Sequence, residues 1–84
     1  MTKYTIDDIK LAIKNRSILL SYGNFYCIPL YIEDDEKIRG NWVDNIKNVY
    51  KEIKDPGWNK ITDIKKIIPN PNTIDGLFYI LGYN

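Results

Sequence analysis

The chain has no histidine and no glutamine, a single cysteine, and only five glycines scattered through 84 residues. Without histidine, one chain can assemble neither a His-based general base nor a His-ligated metal. The lone Cys27 has no intrachain disulfide partner. Its setting, Phe25-Tyr26-Cys27-Ile28, describes a small buried hydrophobe rather than an activated thiol. The glycines form neither a phosphate-binding loop nor a dinucleotide fingerprint. Nothing marks a base beside the two serines, Ser17 and Ser21. Apolar runs fall far short of the ~20 residues that a membrane span needs. Met1-Thr2-Lys3-Tyr4-Thr5 lacks the apolar segment of a signal peptide. These absences lead to the expectation of a non-enzymatic cytoplasmic protein with no cofactor, no metal and no membrane attachment.

Twelve Lys and Arg stand against eleven Asp and Glu, a net charge of +1. A bulk electrostatic attraction to nucleic acid is therefore absent. The distribution is less even. Residues 1–36 carry four basic and six acidic side chains, whereas residues 37–66 carry eight basic and four acidic. Hydrophobic residues make up 44%, enough for the core of one small domain. Ile, Lys, Asn and Tyr together supply 41 of the 84 residues, and all four have AT-rich codons. A coding bias of that kind accounts for much of the lysine and tyrosine content. With the small size it associates the chain with accessory proteins of phages or mobile elements.

The pattern predicts a small α+β domain of order α-β-β-α-α-β. Thr5 and Asp8 have capping-box spacing, Tyr4 and Ile9 that of a hydrophobic staple, and Ile6, Ile9, Ala12 and Ile13 helical spacing, so a helix is expected over 6–15. Residues 18–22 and 25–32 read as a central antiparallel hairpin about a Gly23-Asn24 two-residue turn, with Leu20 opposite Cys27. Both faces of that hairpin are apolar, so helices or another chain must cover both. Pro29 cannot donate to a ladder and belongs at an edge or bulge. Asn41, with Asp44 three residues on, opens a second expected helix through Trp42, Ile46, Val49, Tyr50 and Ile53, stopped at Asp55-Pro56-Gly57. Ile61, Ile64, Ile67 and Ile68 argue for a third, ended by Pro69. Residues 73–83 fit either a helix capped by Thr73 and closed by Gly82 or a strand through 77–81. The strand is preferred here because it would steady the hairpin.

Three surfaces stand out. Tyr22, Phe25, Tyr26, Tyr31 and Trp58 are of the residue types that anchor protein interfaces, and Trp58 is expected in an exposed turn. Lys47, Lys51 and Lys54, followed by Lys60, Lys65 and Lys66, would form a lysine stripe on the two later helices, a candidate nucleic-acid surface. Glu33, Asp34, Asp35 and Glu36 form an acidic surface that reads as a solvated, edge-protecting loop; it lacks the alternating acids and turn glycine of a calcium loop. The favoured expectation is a protein-binding module acting by stoichiometric binding on a partner or as a homodimer, for example an inhibitor of a host defence protein. The alternatives are a nucleic-acid-binding accessory protein and a small-ligand binder with an aromatic pocket between protomers.

Overall fold

A computed structural model describes residues 3–52 and 56–83. A helix, α1 (Ile6–Lys14), precedes six strands: β1 (Ile18–Ser21), β2 (Tyr26–Cys27), β3 (Pro29–Glu33), β4 (Lys37–Gly40), β5 (Gly57–Lys60) and β6 (Ile64–Ile68). A second helix, α2 (Ile74–Leu81), ends the chain. The strands form two antiparallel three-stranded sheets, ordered β2-β1-β6 and β3-β4-β5. The domain is α+β as expected, but among the described residues two α-helices and six strands replace the predicted order.

The capping box forms as the sequence dictates. Asp8 N–H donates to Thr5 Oγ1 at 3.3 Å, and Thr5 N–H donates to Asp8 Oδ2 at 2.8 Å. Ile9 and Ala12 are buried, and α1 packs against β3. Both faces of β1 are covered by the same chain. Leu19 and Cys27 lie in one core with Ile9, Ala12, Ile38, Ile61 and Ile64. Ile18, Leu20 and Tyr26 lie in a second core with Ile46, Val49, Ile68 and Leu77. The first sheet is thus a middle layer, with α1 and the second sheet on one side and α2 on the other. Within it the Ser21 hydroxyl is fully buried and has no hydrogen-bond partner among the described residues.

The expected 25–32 strand breaks at Ile28: Tyr26 and Cys27 stay beside β1 as β2, whereas residues 29–33 leave for the other sheet as β3, and the register of the part that remains is one residue off the expected one. Leu19 pairs with Cys27 and Leu20 with Tyr26. The turn has three residues rather than two. Ser21 N–H donates to Phe25 O at 2.9 Å, Asn24 N–H donates to Ser21 O at 3.1 Å, and Asn24, not Gly23, takes the left-handed conformation at φ 63°. Asparagine tolerates that region because its short polar side chain bonds locally. A one-residue slip exchanges the partner of every side chain. Pro29 begins β3, an edge strand, next to a bulge at Leu30, as its missing N–H requires.

Neither expected middle helix forms. The charged loop before the second expected helix contains β4, and the described part of that helix, residues 41–52, holds a short 3₁₀ turn, Ile46–Asn48. Val43 instead bridges to Tyr26 through two backbone bonds of 2.8 and 2.9 Å, and the Asn45 side chain accepts from Lys47 N–H at 3.0 Å. β-Branched residues and asparagines both weaken a helix here. Ile53 and Asp55 lie outside the described residues. The third expected helix is a 3₁₀ turn, Ile61–Asp63, followed by β6. Its helix-like spacing has a specific cause. Leu20 pairs with Lys66 but Ser21 with Ile64, so Lys65 is an extra, bulged residue. The bulge puts Ile64 and Ile67, three apart, against the same core.

Because β6 already occupies the third place beside β1, residues 73–83 do not form the preferred strand. They form α2. Thr73 Oγ1 accepts from Gly76 N–H at 3.0 Å, and Gly82 closes the helix at φ 81°.

Gly40 fixes how the two sheets meet. A Cβ there would lie 3.1 Å from Cys27 Sγ and 3.2 Å from Ile28 O. Gly40→Ala is expected to cost about 1–3 kcal/mol through overpacking, read as a lower urea midpoint at unchanged slope. In a Cys27→Ala background the two costs should be less than additive, because the nearest obstacle is gone. An unchanged midpoint would show that the sheets do not approach as closely as described.

Candidate functional site

The open face of the β3-β4-β5 sheet is built by its pairing. Residues directly opposite one another on antiparallel strands share a face, and neighbours along a strand alternate. Tyr31 pairs with Arg39, and Arg39 with Trp58. Glu33 pairs with Lys37, and Lys37 with Lys60. These six residues form two cross-strand rows on one side of the sheet. Ile32, Ile38 and Asn59 form the row on the other side, where Ile38 has no solvent exposure and Ile32 packs on the first core.

The outer rows are held by charge and ring contacts. Arg39 grips Glu33 with two donors, Nε to Oε2 at 2.9 Å and Nη2 to Oε1 at 3.1 Å, and its Nη1 donates to Pro56 O at 3.3 Å. Lys37 Nζ lies 4.8 Å from the centroid of the Trp58 ring, within cation–π range. Trp58 nevertheless remains 44% exposed and Tyr31 50%. The result is a Tyr–Arg–Trp row whose guanidinium is held by Glu33 and whose indole is met by Lys37, both from the neighbouring row. The hydrogen bonds from Arg39 hold the Glu33 carboxyl below the usual Glu range, with the charges of Arg39 and then Lys37 acting in the same direction.

Of the expected interface residues, Tyr31 and Trp58 come together on this sheet. Trp58 lies in β5 and not in a turn. Tyr22 and Phe25 are exposed at the tip of the β1–β2 hairpin, a separate location. Tyr26 is buried in the second core, where its hydroxyl lies 3.3 Å from that of Tyr83. That hydroxyl pair, and then burial, push its pKa up to about 12. At 8% exposure it acts in packing and offers a partner little surface. Cys27 is fully buried, and burial raises its pKa strongly, so the reactive thiolate is disfavoured.

Among the described residues the lysines do not line up on helices, because the 3₁₀ turns and strand β6 stand where those helices were expected. Lys47 lies in the 3₁₀ turn and Lys51 beyond it; Lys60 lies on the open face; Lys65 and Lys66 lie on β6. Lys54 is outside the described residues. In the acidic loop, Asp34 and Asp35 both take positive φ, 54° and 56°, and Glu36 N–H donates to Glu33 O at 3.2 Å. Paired positive φ is the type I′ pattern, which suits a tight hairpin. Among the described residues no group of three or more His, Cys, Asp or Glu side chains could hold a metal ion. No helix among them is long and apolar enough to cross a membrane.

Lys37 and Arg39 were not among the residues singled out from the sequence. Polar–apolar alternation in Tyr31-Ile32-Glu33 and Lys37-Ile38-Arg39 carries the signal, and the acidic residues between them read equally well as a plain loop.

No protein-family model matches the chain, and neither a curated protein nor a solved structure matches it.

The Arg39–Glu33 pair has a defined pH signature. A carboxyl whose folded-state pKa is lowered contributes stability in full above the unfolded-state value and loses it as pH falls through the folded-state value. Carboxyl NMR should show Glu33 titrating below an ordinary Glu, and Arg39→Met should return it to the ordinary range. An unshifted Glu33 in the unaltered protein would contradict the bidentate geometry.

Proposed function

We propose that this chain is a non-enzymatic protein-binding module that acts stoichiometrically through the open face of the β3-β4-β5 sheet. One observation carries the reading. Tyr31, Arg39 and Trp58 stand side by side across three strands, with both rings substantially exposed. Tyr, Trp and Arg are the residue types most enriched among interface hot spots. A rigid sheet presents them at little further entropic cost on binding, because the Arg39–Glu33 and Lys37–Trp58 contacts already restrict the side chains. The mixed charge of the face favours a protein over a nucleic acid. Lys37, Arg39 and Lys60 share it with Glu33, and the turn residues Asp34, Asp35 and Glu36 extend from one end. A phosphate backbone would meet those carboxylates at close range.

The test is quantitative capture from cells that carry the protein, comparing the unaltered chain with single variants whose circular dichroism is unchanged. Trp58→Ala or Tyr31→Ala should weaken binding of a captured protein, or of a second copy of the chain, by about 2 kcal/mol or more. Tyr79→Ala, on the opposite layer, should leave it unchanged. Binding to mixed single-stranded DNA or RNA that falls steeply with salt and is lost in Lys60→Glu would replace the protein partner with a nucleic acid.

A further inference from the structure

A groove of about 350 Å³ lies beside the hairpin tip, and none of the six open-face residues lines it. Its floor is Ile61 and Ile64, at 9% and 5% exposure, from the 3₁₀ turn and the first residue of β6. Two tyrosines wall it. Tyr4 is anchored because its hydroxyl accepts from Ile67 N–H at 3.3 Å, which also caps a donor of β6. Tyr22 is anchored by its backbone, since its N–H donates to Asp63 O at 2.7 Å. The residue is 79% exposed, so its ring lines the groove with little cover from the rest of the chain.

The rim is cationic. Lys3 and Lys65 line the groove, and no acidic side chain does so among the described residues. Lys65 Nζ lies 3.3 Å from Asn24 Oδ1, a neutral acceptor at the long end of hydrogen bonding that leaves its charge uncompensated. A carboxylate would be a stronger partner. The contrast with the adjoining groove is direct. Across Tyr4, a second hollow of about 450 Å³ is lined by two carboxylates, Asp35 and Glu36, and one ammonium, Lys60. With two lysines and no acidic side chain among its described lining residues, the first groove is the more favourable of the two for an anion. Its volume is within the range of small-ligand sites.

From this combination of apolar floor, exposed phenol ring and uncompensated ammonium groups, we infer that the groove binds a small aromatic carboxylate. The ring stacks on Tyr22 over Ile61 and Ile64, and the carboxylate is held by Lys65 and Lys3. The site does not depend on the protein-binding face.

Titration of 2-naphthoate into ¹⁵N-labelled protein, followed by amide shifts, tests this. Saturable shifts are expected at Tyr4, Tyr22, Ile64 and Lys65. The neutral analogue 2-naphthylmethanol should bind at least roughly fivefold more weakly, and Lys65→Glu should weaken the carboxylate by a similar factor. Tyr22→Ala should weaken both compounds, while Trp58→Ala should change neither. The inference is overturned by an absence of saturable shifts, by equal affinity for the neutral compound, or by shifts centred on another surface.

Discussion

Ile18, Leu19, Leu20 and Ser21 lie on one extended strand with both of its faces under cover, and this double burial governs the arrangement of everything else. An antiparallel sheet usually keeps one face wet. Here the side chains of β1 point alternately into two cores, so each core needs its own cover from a chain of only 84 residues. Full burial of an aliphatic side chain stabilises by about 1.5–3 kcal/mol. Against the 5–15 kcal/mol net stability of a typical domain, the three aliphatic residues of β1 have no tolerable alternative exposed position. Helix α1 and the second sheet close one side; helix α2 and the 3₁₀ turn at Ile46–Asn48 close the other.

This arrangement creates the open face. The second sheet is recruited as a lid through Ile32 and Ile38, which commits its other side to solvent. The alternation of β4 then places Lys37 and Arg39 outward, and pairing brings Tyr31 and Trp58 alongside them. The contact at Gly40, where Cys27 Sγ and Ile28 O crowd the backbone, sets the distance at which the lid sits. The proposed recognition surface is therefore the outer side of a packing solution. A sheet fastened by its inner face can hold aromatic rings and cations in fixed positions without enclosing them.

Legibility of the sequence followed the range of the interactions concerned. The capping box at Thr5 and Asp8 is settled within four residues and was readable. The two-sided apolarity of the hairpin was readable too, and it correctly demanded cover on both faces. The register was not, because Gly23-Asn24 suits a two-residue turn and a three-residue turn alike; Asn24 accepting left-handed φ decided it. Ile61, Ile64, Ile67 and Ile68 have helical spacing through a 3₁₀ turn and a bulge at Lys65, and the bulge is set by pairing with β1, whose residues lie 43 to 50 positions away in sequence. The 73–83 segment could satisfy either period, and the choice went to the helix once β6 had taken the strand position. Tyr31 and Trp58 were recognisable as interface residue types. Their meeting across Arg39 depends on β4 and β5, which lie where a charged loop and a turn were expected.

The central claim is that β1 is buried on both faces by its own chain. Native-state hydrogen exchange of the Leu19 and Leu20 amides tests it most directly. These amides should exchange only through global unfolding, with the largest protection in the molecule and at a rate independent of protein concentration. Exchange faster than that of the outer strands, or protection that grows with protein concentration, would contradict the account by showing that one face of the strand is open until a second molecule covers it.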